Sequence, residues 1–215
     1  HSTGGRALAV ALAGVESNKI LNWGAKRWNN YQQLERFKLH GVPTIEFTDS
    51  LRKSNNWVGA GVTVWGRKYN HTKGLDIVRY HHPKWQTSDY WIQVVPDVVQ
   101  EWRVHVFDGK HIYQGLKWYR PETAISGSLV HRHGVSDLVR NRLTGWRMKH
   151  DVVVPGNVKR AAIDAVGALG YLYGAVDVMV DGEGQVYVIE CNLCPGMDES
   201  TLNTYVKVIK SWART

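Results

Sequence analysis

The residues whose types and spacing best suit metal chemistry are Asp177, Glu190 and Asn192. Asp177 and Glu190 belong to two alternating apolar runs, residues 175–180 and residues 186–191, that flank the turn sequence Asp-Gly-Glu-Gly, and Asn192 directly follows the second run. This pattern predicts a β-hairpin. Because side chains alternate between the two faces of a strand, Glu190 and Asn192 share one face.

The predicted hairpin also brings two carboxylates together. A two-residue loop at residues 183–184 would place Asp177 directly opposite Glu190. Two carboxylates that face each other on a largely apolar hairpin repel and resist desolvation, so a positive group should lie between them. Hard oxygen ligands suit Mg²⁺, which completes its shell with water and phosphate. The pattern indicates a magnesium-nucleotide site, and the alternative is a hairpin with two solvated acids on its outer face.

A second hairpin is predicted in the run EWRVHVFDGKHIYQGLKWY, which alternates about an Asp-Gly turn. Alternation places Glu101, Arg103, His105 and Phe107 on one face and apolar residues on the other. The guanidinium fork of Arg103 suits phosphate or a developing oxyanion, and Glu101 could accept hydrogen bonds from a ribose. The alternative is a simple surface pair, which would contribute little.

Two further segments have the composition of nucleotide contacts. The loop GRKYNHTKG, residues 66–74, combines cations with glycines, as phosphate lids do. In the segment YWIQVVPD, the backbone of residues 93–95 could pair with an adenine edge while apolar side chains sandwich the ring. An exposed basic loop and a buried strand ending at Pro96 are the alternatives.

Composition indicates a globular protein with room for one large domain or two small lobes, since 43% of its 215 residues are hydrophobic and 21% are charged. No apolar run reaches the roughly 20 residues that a membrane span requires. The two cysteines, Cys191 and Cys194, argue against a disulfide framework and favour a reducing compartment. We expect both to be small buried residues rather than metal or redox groups.

The positive charge is concentrated in one part of the sequence. The net charge is +8, and residues 101–160 hold eleven basic against five acidic residues. A basic cleft would attract anionic partners such as nucleotide phosphates, an acidic peptide or a nucleic acid.

The pattern along the chain predicts an α+β fold with antiparallel sheets. We expect an apolar helical start and a short strand within residues 7–24, and strands near residues 62–65 and 90–95. Helices are predicted where apolar residues recur with helical spacing. These are a helix containing Tyr31, Leu34 and Phe37 and stopped by Gly41 and Pro43, a helix capped by Asn157 and ended by Gly170, and a last helix over residues 202–212.

The order of these motifs resembles the ATP-grasp superfamily, whose members include glutathione synthetase and D-alanine:D-alanine ligase. The resemblance runs through GRKYNHTKG, WIQVVP, EWRVHVFDGK, a helix and GAVDVMV…VYVIECNLCPG, and covers roughly residues 57–215. It is closest to the compact ATP-grasp proteins often found in phage genomes. It implies an ATP-grasp fold in which two lobes with antiparallel sheets grip ATP. Residues 1–45 would be a reduced N-terminal segment, residues 46–96 the small lid-bearing lobe, and residues 97–215 the large lobe with the metal site.

The resemblance also implies an activity. A carboxylate would attack the γ-phosphate of ATP, with Mg²⁺ bound, and an amine or similar nucleophile would capture the acyl phosphate to form an amide bond. The implied partners are a carboxylate substrate and an amine-bearing acceptor, such as a peptide, a protein or another large anionic molecule, with no membrane involved. We expect a cytoplasmic protein, in a host cytoplasm if it is phage-encoded.

Family roles carry over to individual residues by motif, and three positions depart from the family's pattern. Asn30 lies near the place where a first ATP-binding lysine is expected, Arg67 replaces a lysine, and Asp76 stands in a glycine-rich stretch. The implied metal ligands are Asp177, Glu190 and Asn192, the nucleotide contacts are Arg67, Lys68, His71, Gly74, Gln93, Val94, Val95 and Glu101, and the catalytic residues are Arg103, Lys117 and Arg142, with Arg140 and Arg147 beside Arg142 for acceptor binding.

Two other functions fit the sequence. One is an ATP-grasp kinase that stops at phosphoryl transfer to a hydroxyl or phosphate. The other is a non-enzymatic basic module that binds nucleic acid, in which some of the ten tryptophans stack on bases. The scattering of the tryptophans along the sequence argues against the second.

Overall fold

A computed structural model describes residue 22 and residues 25–69, 76–124, 140 and 142–214. The helix start and the short strand predicted within residues 7–24 lie outside the described residues, apart from residue 22. The α-helices of the described part are α1 (Asn30–Leu39), α2 (Leu51–Gly59), α3 (Gly156–Ala168) and α4 (Glu199–Trp212). Its strands are β1 (Phe47–Thr48), β2 (Val64–Arg67), β3 (Val78–Arg79), β4 (Tyr90–Gln93), β5 (Gln100–Phe107), β6 (Lys110–Tyr119), β7 (Trp146–Lys149), β8 (Tyr173–Val180) and β9 (Val186–Asn192).

The strands form two antiparallel sheets, which confirms the predicted α+β class. The small sheet has the order β1-β4-β2-β3, and the large sheet has the order β7-β6-β5-β8-β9. Short 3₁₀ helices at Trp85–Thr87, Pro121–Thr123 and Arg142–Thr144 connect the strands. None of the described helices is both long enough and apolar enough to cross a membrane.

The predicted β5–β6 hairpin is confirmed. Phe107 pairs with Lys110 around the two-residue loop Asp108-Gly109, and both loop residues have positive φ. Only a few residue types tolerate that backbone conformation, which explains the Asp-Gly sequence.

The β8–β9 hairpin is present, but its predicted two-residue loop is wrong. Val180 pairs with Val186, so the loop spans residues 181–185. The side chain of Asp181 stabilises it, because Oδ1 accepts hydrogen bonds from the backbone amides of Glu183 at 3.0 Å and Gln185 at 2.9 Å.

The helices follow their predicted apolar patterns, with changes at their ends. α1 begins directly after its N-cap residue Asn29, whose side chain and backbone form a capping box with Gln32. α3 begins one residue before Asn157, so the predicted cap is wrong, although Gly170 ends this helix with a φ of 71° as expected. α4 begins earlier than predicted because the side chain of Asp198 accepts the backbone amide of Thr201.

The main core lies between one face of the large sheet and helices α1 and α3. It contains Val104, Val176, Val178 and Val188 of the sheet, Leu34 and Phe37 of α1, and Val158, Ala162, Ala165 and Val166 of α3. On the opposite face, α4 covers one end of the sheet through Tyr205 and Ile209, which pack on Phe107. The other end of that face carries the candidate site.

Candidate active site

A cavity of about 740 Å³ lies between the two sheets. Its volume is within the range of small-molecule sites. The small sheet and the segment after it contribute Trp65, Arg67, Ile92, Gln93, Val94 and Val95, and the large sheet contributes Glu101, Arg103, Lys117, Trp146, Arg147, Met148, Asp177, Met179, Ile189 and Glu190. Arg140, Arg142 and Ile77 also line the cavity.

A β-bulge brings the two predicted metal-binding carboxylates together. With the five-residue loop, a regular ladder would pair Asp177 with Ile189. Instead, Val178 pairs with Val188 and Asp177 pairs with Glu190, so Ile189 is an extra residue in β9. Consequently the neighbours Ile189 and Glu190 both line the cavity. The predicted opposition of the carboxylates is confirmed, although the loop that was expected to produce it is not.

Asp177 has a positive neighbour in Arg103. The two residues are opposite each other on β8 and β5, and the guanidinium donates to both carboxylate oxygens, from Nε to Oδ1 at 2.7 Å and from Nη2 to Oδ2 at 2.8 Å. Burial alone would raise the pKa of Asp177, but the charges of Arg103 and Lys117 and the hydrogen bonds from Arg103 lower it to about 2. Asp177 is therefore ionised at neutral pH.

Two amides hold the carboxylate of Glu190. Asn192 donates from Nδ2 to Oε1 at 2.9 Å, and Asn30 of α1 donates from Nδ2 to Oε2 at 2.8 Å. Asn192 contacts Glu190 without lining the cavity itself. Within the described ranges there is no group of three or more His, Cys, Asp or Glu residues that could hold a metal. The predicted set consists of two carboxylates and an amide.

Glu101 and Lys117 form a buried ion pair in the cavity wall. The ammonium of Lys117 donates to Oε1 of Glu101, which is 5% exposed. Oε2 of Glu101 is buried and accepts no hydrogen bond from the described residues, and Nη1 of Arg140 lies 3.8 Å from it. Buried polar atoms nearly always have a partner, so this oxygen suits a donor on a bound molecule.

The small-sheet wall contains part of the predicted nucleotide set. Arg67 lines the cavity and its Nε donates to Oδ2 of Asp76 at 3.1 Å. Lys68 does not line the cavity, because its ammonium donates to Oδ1 of Asp89 at 3.0 Å and to the carbonyl oxygen of Thr87. The predicted lid residues His71 and Gly74 lie outside the described residues.

The predicted adenine-binding backbone also lies along the cavity. The amide of Gln93 donates to the carbonyl of Glu46 and that of Val94 to the carbonyl of Thr63, each at 2.9 Å. In the part of the chain that the structure describes, the amide of Val95 has no hydrogen-bond partner. Val95 is thus the residue of this segment with a donor available to a ligand.

The basic end of the cavity is partly aromatic. The guanidinium of Arg140 lies 4.9 Å from the ring centroid of Trp146, and Arg147 donates from Nη2 to the carbonyl of Thr123 at 2.7 Å. Arg142 lies in the same wall. Sequence reasoning missed Trp146, although its position in RNRLTGWR next to three arginines is a signal.

His105 shares a face with Arg103 but lies under α4 and does not line the cavity. Its Nδ1 is 3.1 Å from the Tyr205 hydroxyl, and burial lowers the pKa of His105 to about 3. The two cysteines differ, because Cys191 is buried as expected and Cys194 is exposed, contrary to expectation.

No protein-family model and no curated protein sequence matches the chain. Solved structures do match its fold. One is the ATP-grasp ligase PsnB complexed with minimal precursor, Mg and ADP, with a TM-score of 0.60, 12% identity, and coverage of 86% of this chain and 58% of that one. The chain has the ATP-grasp fold.

Two other solved structures give the same result. D-alanine–D-alanine ligase from Bacillus anthracis has a TM-score of 0.58 and 13% identity, covering 85% of this chain and 62% of that one. Macrocyclase MdnC from Microcystis aeruginosa MRC, bound with precursor peptide MdnA, has a TM-score of 0.53 and 10% identity, covering 83% and 59%. The chain thus spans about 60% of the length of the structures that share its ATP-grasp fold.

Proposed function

We propose that this protein is an ATP- and Mg²⁺-dependent ligase that activates a carboxylate as an acyl phosphate and joins it to an amine or a similar nucleophile. The observation that carries the proposal is the opposition of Asp177 and Glu190 on the wall of a cavity that is rich in arginine. Acidic oxygens beside several fixed cations suit a metal-bound polyphosphate.

The oxygen donors fit a divalent cation. Each oxygen of Glu190 accepts one amide hydrogen bond and keeps another lone pair for a metal. Asn192 donates through Nδ2, which leaves its Oδ1 as a donor to the metal, and Asp177 supplies the second carboxylate, beside Arg103. When bound, Mg²⁺ would neutralise charge on the transferred phosphoryl group.

The cavity offers separate contacts for each part of ATP. The Val95 amide would donate to the adenine edge beside Gln93 and Val94, with Ile92 and Met179 in the surrounding apolar wall. The uncommitted Oε2 of Glu101 would accept a ribose hydroxyl. Arg67 and Lys117 would contact the phosphates, and we keep His71 and Gly74 as lid predictions. Lys68 would have to leave Asp89 to contribute.

The proposed chemistry has two steps. A substrate carboxylate oxygen attacks the γ-phosphorus as the bond to the ADP oxygen breaks, which gives an acyl phosphate and ADP. The nucleophile's nitrogen then attacks the acyl carbon, loses a proton, and phosphate leaves with the bonding electrons. Arg103 would stabilise the developing oxyanion, and Arg142 would bind a carboxylate together with Arg140 and Arg147.

The acceptor is proposed to be an anionic peptide or protein. Two solved structures that share the fold, PsnB complexed with precursor peptide PsnA2 and MdnC bound with precursor peptide MdnA, support a peptide. The arginines at positions 140, 142 and 147 at one end of the cavity support an anionic one.

The experiment is incubation of the protein with ATP, MgCl₂ and pools of amino acids or acidic peptides, with and without hydroxylamine. Formation of ADP, phosphate and an acyl hydroxamate supports the ligase. ADP with a phosphorylated product and no hydroxamate would indicate the kinase. Release of AMP, or salt-sensitive binding of single-stranded DNA without any nucleotide turnover, would contradict the proposal.

A further inference from the structure

The edge strand β9 is hydrogen-bonded by residues that come before the small sheet in the sequence. The amide of Val188 donates to the carbonyl of Pro43 at 2.8 Å, and its carbonyl accepts from Oγ1 of Thr44 at 2.7 Å. Three residues on, the amide of Cys191 donates to Oε1 of Gln33 at 2.7 Å, and its carbonyl accepts from Nε2 of Gln33 at 3.2 Å. The Gln33 side chain therefore pairs with β9 as a neighbouring strand would.

The spacing of the β9 amides that point away from the sheet shows which register of β9 Gln33 can bind. In a regular strand, outward-facing amides belong to every second residue, so Val188 would be followed by Glu190 and Asn192. Here Cys191 takes that position because Ile189 is the extra residue of the bulge. The two-bond contact with Gln33 forms only in the bulged register.

The register decides which face carries Glu190. Without the bulge, Ile189 and Cys191 would face the cavity and Glu190 would point into the core covered by α3. Gln33 is 6% exposed, so loss of its partners would leave buried polar groups unpaired. One helical turn earlier, Asn30 donates to the Glu190 carboxylate itself, so α1 holds both the backbone and the side chain of this segment.

We propose that Gln33, supported by Asn30, is the positioning residue that fixes β9 in the register that presents Glu190 to the cavity. The catalytic consequence rests on the proposed ligase function. The register effect does not, and it has its own test.

That test uses the reactivity of Cys191. In a Cys194→Ser background, which removes the exposed thiol, we expect the buried Cys191 thiol to react slowly with a maleimide. Gln33→Met keeps the length of the side chain but removes both hydrogen bonds. We expect it to speed labelling at Cys191 by about tenfold or more, as mapped by mass spectrometry, because the relaxed register turns this thiol toward the cavity. The matched control, Gln86→Met at an exposed position, should leave the labelling rate unchanged.

The far-UV spectrum and a cooperative unfolding transition establish that the labelled protein is folded. If Gln33→Met does not fold, Gln33→Glu is labelled in the same way. Glutamate keeps the oxygen that accepts from the Cys191 amide but loses the amide group that donates to the Cys191 carbonyl. A folded variant in which Cys191 remains as protected as in the parent would overturn the proposal.

Kinetics provide the second readout. We expect Gln33→Met to lower kcat for ATP turnover by about 10- to 100-fold, as is typical when support of a metal ligand is lost, with little change in KM. A rise in KM alone would contradict a role in positioning Glu190. Faster labelling in a protein that shows no ATP turnover under any condition would support the register inference and remove the ligase function.

Discussion

Arg103 and Asp177 lie opposite each other on β5 and β8 and share two hydrogen bonds of 2.7 and 2.8 Å on the cavity wall. Arg103 lies on the side of Asp177 away from Glu190, because β8 runs between β5 and β9. The Arg103 guanidinium would compete with the proposed divalent cation for the Asp177 carboxylate. In that case Asp177 would be coupled both to the stability of the sheet and to the binding of metal.

Replacing Arg103 with alanine tests the first coupling. The change leaves a buried carboxylate unpaired. We expect it to lower the free energy of unfolding, measured in urea, by about 3 kcal/mol, the lower end of the range for breaking a buried ion pair. Because the loss comes mainly from the unpaired charge, the double variant with Asp177→Ala should be less destabilised than the two single changes added together. Additive losses would show that the pair is not coupled.

The same variant tests the proposed role of Arg103 in catalysis. If Arg103 stabilises charge that develops during the reaction, Arg103→Ala should reduce turnover by more than it reduces ATP affinity. The comparison requires kcat and a nucleotide dissociation constant measured on the same preparation. A loss confined to affinity would make Arg103 a binding residue.

Glu190→Gln tests the metal assignment. The amide can replace the carboxylate in size but not in charge, so we expect turnover to be abolished and the thermal stabilisation by Mg²⁺ with ADP to disappear while the fold is retained. Glu183→Gln in the exposed β8–β9 loop is the matched control and should behave like the parent. Unchanged activity in Glu190→Gln would remove Glu190 from the metal site.

Much of this site could be predicted because strand alternation is a local property. Glu101 and Arg103 share a face in any strand, whatever surrounds it, and both line the cavity. Alternation also separates Arg67 from Lys68, since Arg67 ends β2 facing the cavity. If the end of β2 could be predicted, this separation would exclude Lys68 from the predicted nucleotide contacts.

The bulge could not be predicted, because it depends on contacts distant in sequence. Asp181 stabilises the five-residue hairpin loop through its side chain. The bulged register of β9 is stabilised by the contact of Cys191 with Gln33, which is 158 residues away in the sequence. Gln33 does leave a sequence signal, since it lies on the apolar stripe of α1 with Leu34 and Phe37. A polar residue on such a stripe needs a buried partner, but the pattern does not identify which one.

The buried His105 predicts a pH dependence of stability. Its pKa is lowered from 6.5 to about 3, first by burial and then by the charge of Arg103. Because the unfolded state binds a proton that the folded state does not, the stability is present above pH 6.5 and is lost as the pH falls toward 3. We expect a slope approaching about 1.4 kcal/mol per pH unit from this one group, measured by urea unfolding between these values. His105→Gln, which can still bond to Tyr205, should flatten it, and an unchanged slope would assign the effect to other groups.

Glu101 predicts how the protein distinguishes ribose from deoxyribose. Since Oε2 is buried without a hydrogen bond from the described residues, a ribose hydroxyl would satisfy it, and 2′-deoxy-ATP would leave it unpaired if the contact is to the 2′-hydroxyl. We expect ATP to be preferred over the deoxynucleotide by up to about tenfold in kcat/KM. Glu101→Gln weakens the ion pair with Lys117 and replaces an acceptor with a donor, so the preference should disappear even where activity persists. If the preference for ATP survives this substitution, the ribose lies elsewhere in the cavity. If kcat/KM falls equally for both nucleotides, the role of Glu101 is to hold Lys117.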